Sequence, residues 1–272
     1  MTAPPTRLAR SVGITNSRLN AAKRGIAVAL ATRLARTTDL TVCLVGADPT
    51  DHDVERHLPQ LVARWGEPAR MQVTRGPHRV EVANFELERV CVITLSDRES
   101  VELVLPALAD RFGFVVVDAP SHAGSGIGIA EVLLGWLDAL VVATGLGAGD
   151  LAETRHYVEH LESLPTTGHV QARVLAVGDA DGGLARDQLD ARLASLPTIG
   201  HIPRIGAGAT AGGSAEQDRL DAALRPVVRW IVDPAAPVER VRARDEPFAA
   251  PPSRAPLGRH VANRVYREHL HR

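Results

Sequence analysis

Lysine is almost missing from this 272-residue chain: of its 31 basic residues only Lys23 is a lysine, and the rest are arginine. Aromatic residues make up 3%, which removes the stacking platforms on which proteins hold single-stranded nucleic acid. There are only two cysteines, Cys43 and Cys91, both inside apolar runs. That rules out a disulfide framework, and both read as buried thiols in a reducing compartment. No stretch reaches the roughly 18 continuous apolar residues of a membrane span, and residues 1–10 carry no apolar signal core. The formal net charge of -1 excludes a general pull toward nucleic acid or anionic lipid, so any such contact needs a local patch. A soluble, cytoplasmic protein without specific nucleic-acid binding is the expectation.

The residues that are present have an ordinary globular balance, 45% hydrophobic and 23% charged. Short β-rich runs alternate with helical patterns, which predicts an α/β fold: a doubly wound, mostly parallel sheet with helices on both faces. Strands are expected at 11–15, 41–45, 89–95, 114–117, 139–143, 172–177 and 199–202, and alternation over 71–83 suggests an inserted or edge hairpin. Helical spacing appears over 21–36, where Ile26, Leu30 and Leu34 share a stripe, and near 54–65, 99–112, 151–164, 184–196 and 215–232. Continuous valine and phenylalanine at 114–117 implies a strand buried on both faces. One domain is expected over 1–233. Beyond it, Pro234, Pro237, Pro247, Pro251, Pro252 and Pro256 punctuate an arginine-rich tail, 234–272, with a candidate short helix over 257–272.

A P-loop places a glycine-rich turn after the first strand. Its backbone N–H groups surround phosphate, a lysine reaches the β/γ oxygens, and the next hydroxyl residue holds Mg²⁺. Here the corresponding turn is Asn16-Ser17-Arg18-Leu19-Asn20-Ala21-Ala22-Lys23-Arg24-Gly25. Its length and placement suit a P-loop, but its chemistry does not. Lys23 is either the phosphate lysine or a solvated residue in a first helical turn. Asp118, in the run Phe112-Gly113-Phe114-Val115-Val116-Val117-Asp118-Ala119-Pro120, is either a carboxylate for the Mg²⁺ shell or a strand terminator.

These segments resemble the ParA/MinD-type P-loop ATPases, whose loop reads roughly G-S-K-G-G-x-G-K-T-T, and the resemblance extends over most of residues 11–232. On that pattern Arg18 takes the place of the extra signature lysine and Lys23 that of the P-loop lysine. Leu19, Asn20 and Ala22 stand where glycines admit close approach of backbone to phosphate; Asn20 is the most tolerable of them. Arg24 replaces the Mg²⁺-binding hydroxyl, and a guanidinium carries donors only. The family's D-x-D-P becomes Gly46-Ala47-Asp48-Pro49, which keeps Asp48 and loses the first carboxylate. Residues 112–120 match the Walker B strand, 136–144 and 199–203 resemble later strands, and Gly178-Asp179 stands where an Asn-Arg pair reads the base. The overall character is similar to the divergent CpaE/TadZ-like localisation proteins.

The resemblance implies ATP or ADP as ligand, with Arg18, Asn20, Lys23, Arg24, Asp48 and Asp118 as its candidate contacts and Arg18 available to reach across a homodimer. The residues at 24 and 46 speak against Mg²⁺ and against efficient hydrolysis. The expected role is a pseudo-ATPase or very weak ATPase that positions or binds protein partners in a bacterial division, partition or secretion assembly. Two alternatives stay open: an active ATPase with a site rebuilt from Asp51 or Asp53 and Arg24, and a scaffold that binds no nucleotide.

The glycine clusters 124–128 and 145–149 lack the dinucleotide-binding spacing after a first strand and read as flexible turns; 206–213 reads as a mobile loop. His156 and His160 lie four apart on a predicted helix without a third metal ligand, so they read as surface residues. In the tail, Leu257, Val261 and Val265 form a short stripe beside arginines. It suits partner docking or a disordered tail better than a membrane anchor.

Overall fold

The computed structural model describes residues 10–16, 22–47, 61–63, 65–75, 78–95, 97–120, 127–163, 170–178, 198–202 and 220–233. Its strands are β1 (Arg10–Asn16), β2 (Val42–Gly46), β3 (Ala69–Arg75), β4 (His78–Phe85), β5 (Val90–Thr94), β6 (Phe114–Asp118), β7 (Ala139–Gly145), β8 (Gln171–Val177) and β9 (Thr198–Ile202). The helices are α1 (Ala22–Thr38), α2 (Arg98–Arg111), α3 (Ile127–Leu134), α4 (Ala148–Ser163) and α5 (Arg225–Val232). The strands form one sheet in the order β3-β4-β5-β2-β6-β1-β7-β8-β9. β4 alone runs opposite in direction to the other strands. The α/β, doubly wound expectation holds, and the alternation over 71–83 is the β3–β4 hairpin at one edge.

Strands β2 and β6, VCLVG and FVVVD, are buried at every residue. Period-2 geometry then divides the apolar residues between two faces. Val12, Ile14, Val42, Leu44, Phe114 and Val116 pack with Ile26, Leu30 and Leu34 of α1 and with Val227, Val228 and Ile231 of α5. Cys43, Val45, Val115, Val117, Leu140 and Val142 pack on the other face with residues of α2, α3 and α4.

The predicted Ile26–Leu30–Leu34 stripe is fully buried. α1 ends where Asp39 takes a left-handed φ of 60° and donates its N–H to the Ala35 carbonyl at 3.1 Å. The Thr38 hydroxyl donates to the Leu34 carbonyl, a second bond that closes the helix end. α2 starts at Asp97, whose carboxylate accepts from the Ser100 N–H at 2.8 Å and the Ser100 hydroxyl at 2.7 Å; this is an N-cap. At the far end α5 is fastened to β1 by a hydrogen bond from the Arg10 guanidinium to the Ile231 carbonyl.

Two sequence expectations need correction. The cluster 124–128 runs into a helix, because α3 begins at Ile127; glycine masked a start whose later residues Ile129, Leu133 and Leu134 are buried. The cluster 145–149 is also not a loose turn. Gly145 closes β7 and Ala148 opens α4. A side chain at Gly147 would place Cβ 2.9 Å from the Asp150 carboxylate, so glycine there makes room for that carboxylate against the turn. Among the described residues, no helix is long and apolar enough to cross a membrane. The tail 234–272, its candidate helix, the expected helix over 184–196 and the loop 206–213 lie outside the described residues.

Candidate functional site

The chain leaves β1 toward β2 on one side of it and later returns to β7 on the other. In an open α/β sheet such a reversal leaves a crevice beyond the carboxyl ends of the strands, the usual place for a ligand. Two residues at the strand ends face α1 there. Asp118 ends β6, with its Cα in register with Ile14 of β1 and Gly46 of β2. Asn16 ends β1, in register with Ala143 of β7. Alternation from Phe114 and Val116 puts Asp118 on the face covered by α1, and alternation from Val12 and Ile14 puts Asn16 there as well.

The first turn of α1 brings two cations onto Asp118. Lys23 Nζ lies 3.1 Å from Asp118 Oδ1, and Arg24 Nε lies 3.7 Å from Asp118 Oδ2. Lys23 also donates to the Ala119 carbonyl at 2.5 Å. Lys23 is 4% exposed and Asp118 is 2% exposed, so the solvated reading of the lysine is overturned. Burying an ammonium is costly unless it is paired and hydrogen-bonded, and both conditions are met here.

Backbone bonds hold the carboxylate in place. Ala47 donates to the Asp118 carbonyl at 3.0 Å, and Ala119 donates to the Ile14 carbonyl at 2.9 Å. The Thr15 hydroxyl donates to the Pro120 carbonyl at 2.8 Å. Asp118 is therefore more than a strand terminator: its side chain is the anionic centre of a buried cationic cluster.

Sequence reading passed over Asn16 as a site residue. It is 2% exposed, and among the described residues neither its amide nitrogen nor its amide oxygen has a hydrogen-bond partner. A buried amide left this way costs about 1–3 kcal/mol per group, and such a group calls for an explanation. The available signal was a single carboxamide at the end of the first strand.

Lys23, Arg24 and Asp118 are thus brought together, while Arg18, Asn20 and Asp48 lie outside the described residues. The groups present suit an anion: an ammonium, a guanidinium and a carboxamide. They do not suit Mg²⁺. That ion needs oxygen ligands in near-octahedral geometry, yet position 24 supplies only donors and both Asp118 oxygens already face cations.

At the end of β8, Gly178 has φ 150°. Its N–H donates to the Ile202 carbonyl, and its carbonyl lies 2.6 Å from His201 Nε2. The end of β8 is therefore tied to β9. Among the described residues no group of three or more histidine, cysteine or carboxylate side chains could hold a metal. His156 is exposed, as predicted, and lies 3.7 Å from Glu159.

Neither the protein-family models nor the curated sequences yield a match to this chain. Solved structures do. The septum site-determining protein MinD complexed with Mg-ADP, from Pyrococcus horikoshii OT3, superposes with a TM-score of 0.61 at 12% identity, covering 86% of this chain and 100% of that one. The MinC:MinD cell division protein complex of Aquifex aeolicus gives 0.60 at 16% identity, covering 80% and 96%. A ParA family ATPase from Chlorobium tepidum TLS gives 0.53 at 14% identity, covering 84% and 99%. The fold of this chain is that of the ParA/MinD-type ATPases.

Proposed function

We propose that this chain is a degenerate ParA/MinD-like P-loop protein that binds the phosphates of ATP or ADP without hydrolysing them efficiently. It would serve as a positioning or binding component, with a protein partner and as a homodimer, in a bacterial division, partition or secretion assembly. The observation that carries this reading is the buried Lys23–Asp118–Arg24 cluster at the strand ends. It keeps cations where phosphate binds in this fold and replaces the metal-binding hydroxyl with a guanidinium. Phosphoryl transfer depends on metal and dipoles positioned at the developing charge. Removing the hydroxyl at position 24 and the carboxylate at position 46 removes both the metal ligand and a water-positioning group. The assembly role draws on the fold neighbours, one of which is a complex of MinD with MinC.

The test pairs equilibrium binding of a fluorescent ADP analogue with phosphate release from ATP, in wild type and in Lys23→Ala. Binding that is lost in the variant, with phosphate release no faster in wild type than in the variant, is the expected result. Turnover abolished by Lys23→Ala would replace the proposal with an active ATPase rebuilt from other residues. Absence of binding in wild type would leave a nucleotide-free scaffold.

A further inference from the structure

We infer that the site takes its polyphosphate without a divalent metal, Arg24 supplying the positive charge that Mg²⁺ supplies elsewhere and Asn16 adding a neutral donor. This rests on the reading of the site as a phosphate site and specifies how that site is neutralised.

Three observations converge. Arg24 follows the phosphate lysine directly, and its Nε stands 3.7 Å from Asp118 Oδ2, on the carboxylate that would anchor a metal's water shell. Lys23 takes the other oxygen at 3.1 Å. A dication brought to Asp118 would therefore meet two fixed, largely desolvated cations, and their repulsion is screened much less there than at the surface. Finally, Asn16 sits on the same face and at the same strand ends, with an amide N–H₂ that is buried and has no partner among the described residues. An ammonium, a guanidinium and a carboxamide make a donor set for phosphate oxygens and offer Mg²⁺ almost nothing.

The arrangement reverses the usual role of the strand-end aspartate. Where a metal bridges carboxylate and phosphate, the aspartate helps the ligand to bind. Here Asp118 holds the same two cations that phosphate needs, so carboxylate and phosphate compete for them. Added Mg²⁺ also captures free polyphosphate in solution and lowers the concentration of the species that binds.

The experiment measures binding of ADP, ATP and inorganic tripolyphosphate to the full chain by calorimetry, in EDTA and in excess Mg²⁺, for wild type, Asp118→Asn and Arg24→Thr. Circular dichroism verifies the fold of each. Wild type is expected to bind in EDTA and to bind more weakly in Mg²⁺. Asp118→Asn is expected to bind more tightly than wild type in EDTA. Arg24→Thr, which restores a hydroxyl, is expected to lose on the order of tenfold in EDTA and to recover when Mg²⁺ is added. Should Asp118→Asn fail to fold, the Arg24→Thr reversal decides alone. Comparing nucleotide with tripolyphosphate separates a nucleotide ligand from an inorganic one. Binding by wild type only in Mg²⁺, or Asp118→Asn weakening it, overturns metal independence while leaving the phosphate site intact. No binding by wild type in either condition overturns the phosphate site and this inference with it.

Discussion

Lys23 shows how far a single residue can be read without coordinates. As the only lysine in the chain it stood out by composition, and its place after the first strand suggested phosphate. Its burial and its hold on both Asp118 and the Ala119 carbonyl depended on where β6 ends in space. Asn16 was not legible, because an amide at a strand end is unexceptional until burial leaves it without a partner among the described residues. The two thiols were legible from their apolar surroundings. Cys43 and Cys91 are free and buried, side by side in register on β2 and β5. Burial pushes the Cys43 thiol well above its ordinary value and raises Cys91 to about 12. At pH 8 both are therefore protonated as well as shielded. A chromogenic disulfide reagent should label neither in the native protein and both after denaturation; rapid native labelling of either would show that strand to be open.

Element boundaries followed from patterns wherever a pattern had one physical reading. The β3–β4 hairpin alternates because one face of it packs on the core, with Val73 and Val82 buried. α3 was missed because Ile127-Gly128-Ile129-Ala130 follows a run of glycine and is apolar on nearly all sides, which leaves no helical period to read. α2 carries its own start signal in Asp97. Hydrogen bonds from the Ser100 hydroxyl and N–H hold this carboxyl below its ordinary value. A depressed folded value means that the stabilisation is present above the unfolded value, about 4, and is lost as pH falls through the folded one. Asp97→Ala should cost about 1 kcal/mol at neutral pH. In urea titrations, the gap between variant and wild type should close as pH is lowered below about 4; a gap independent of pH would show that the carboxylate is not the cap.

At the scale of the whole molecule, α5 lies against α1 and β9, and its end is tied to β1 through Arg10. The last described helix is thereby packed on the sheet and fastened to its first strand. A chain ended after Asp233 should unfold in one cooperative transition with a midpoint close to that of the full chain; a large loss would make 234–272 part of the domain. The sequence by itself determined the alternation of strands and helices, the doubly buried central strands and the altered residues at 24 and 46, because burial on one or two faces and side-chain chemistry are local properties. Only the tertiary structure decided that Lys23 and Arg24 converge on Asp118 and that Asn16 is buried at a strand end on the same face. Asp118 is far along the chain from the other three, and it is the parallel pairing of β1 with β6, with α1 laid over that face, that brings it to Lys23 and Arg24 and leaves Asn16 on the same face.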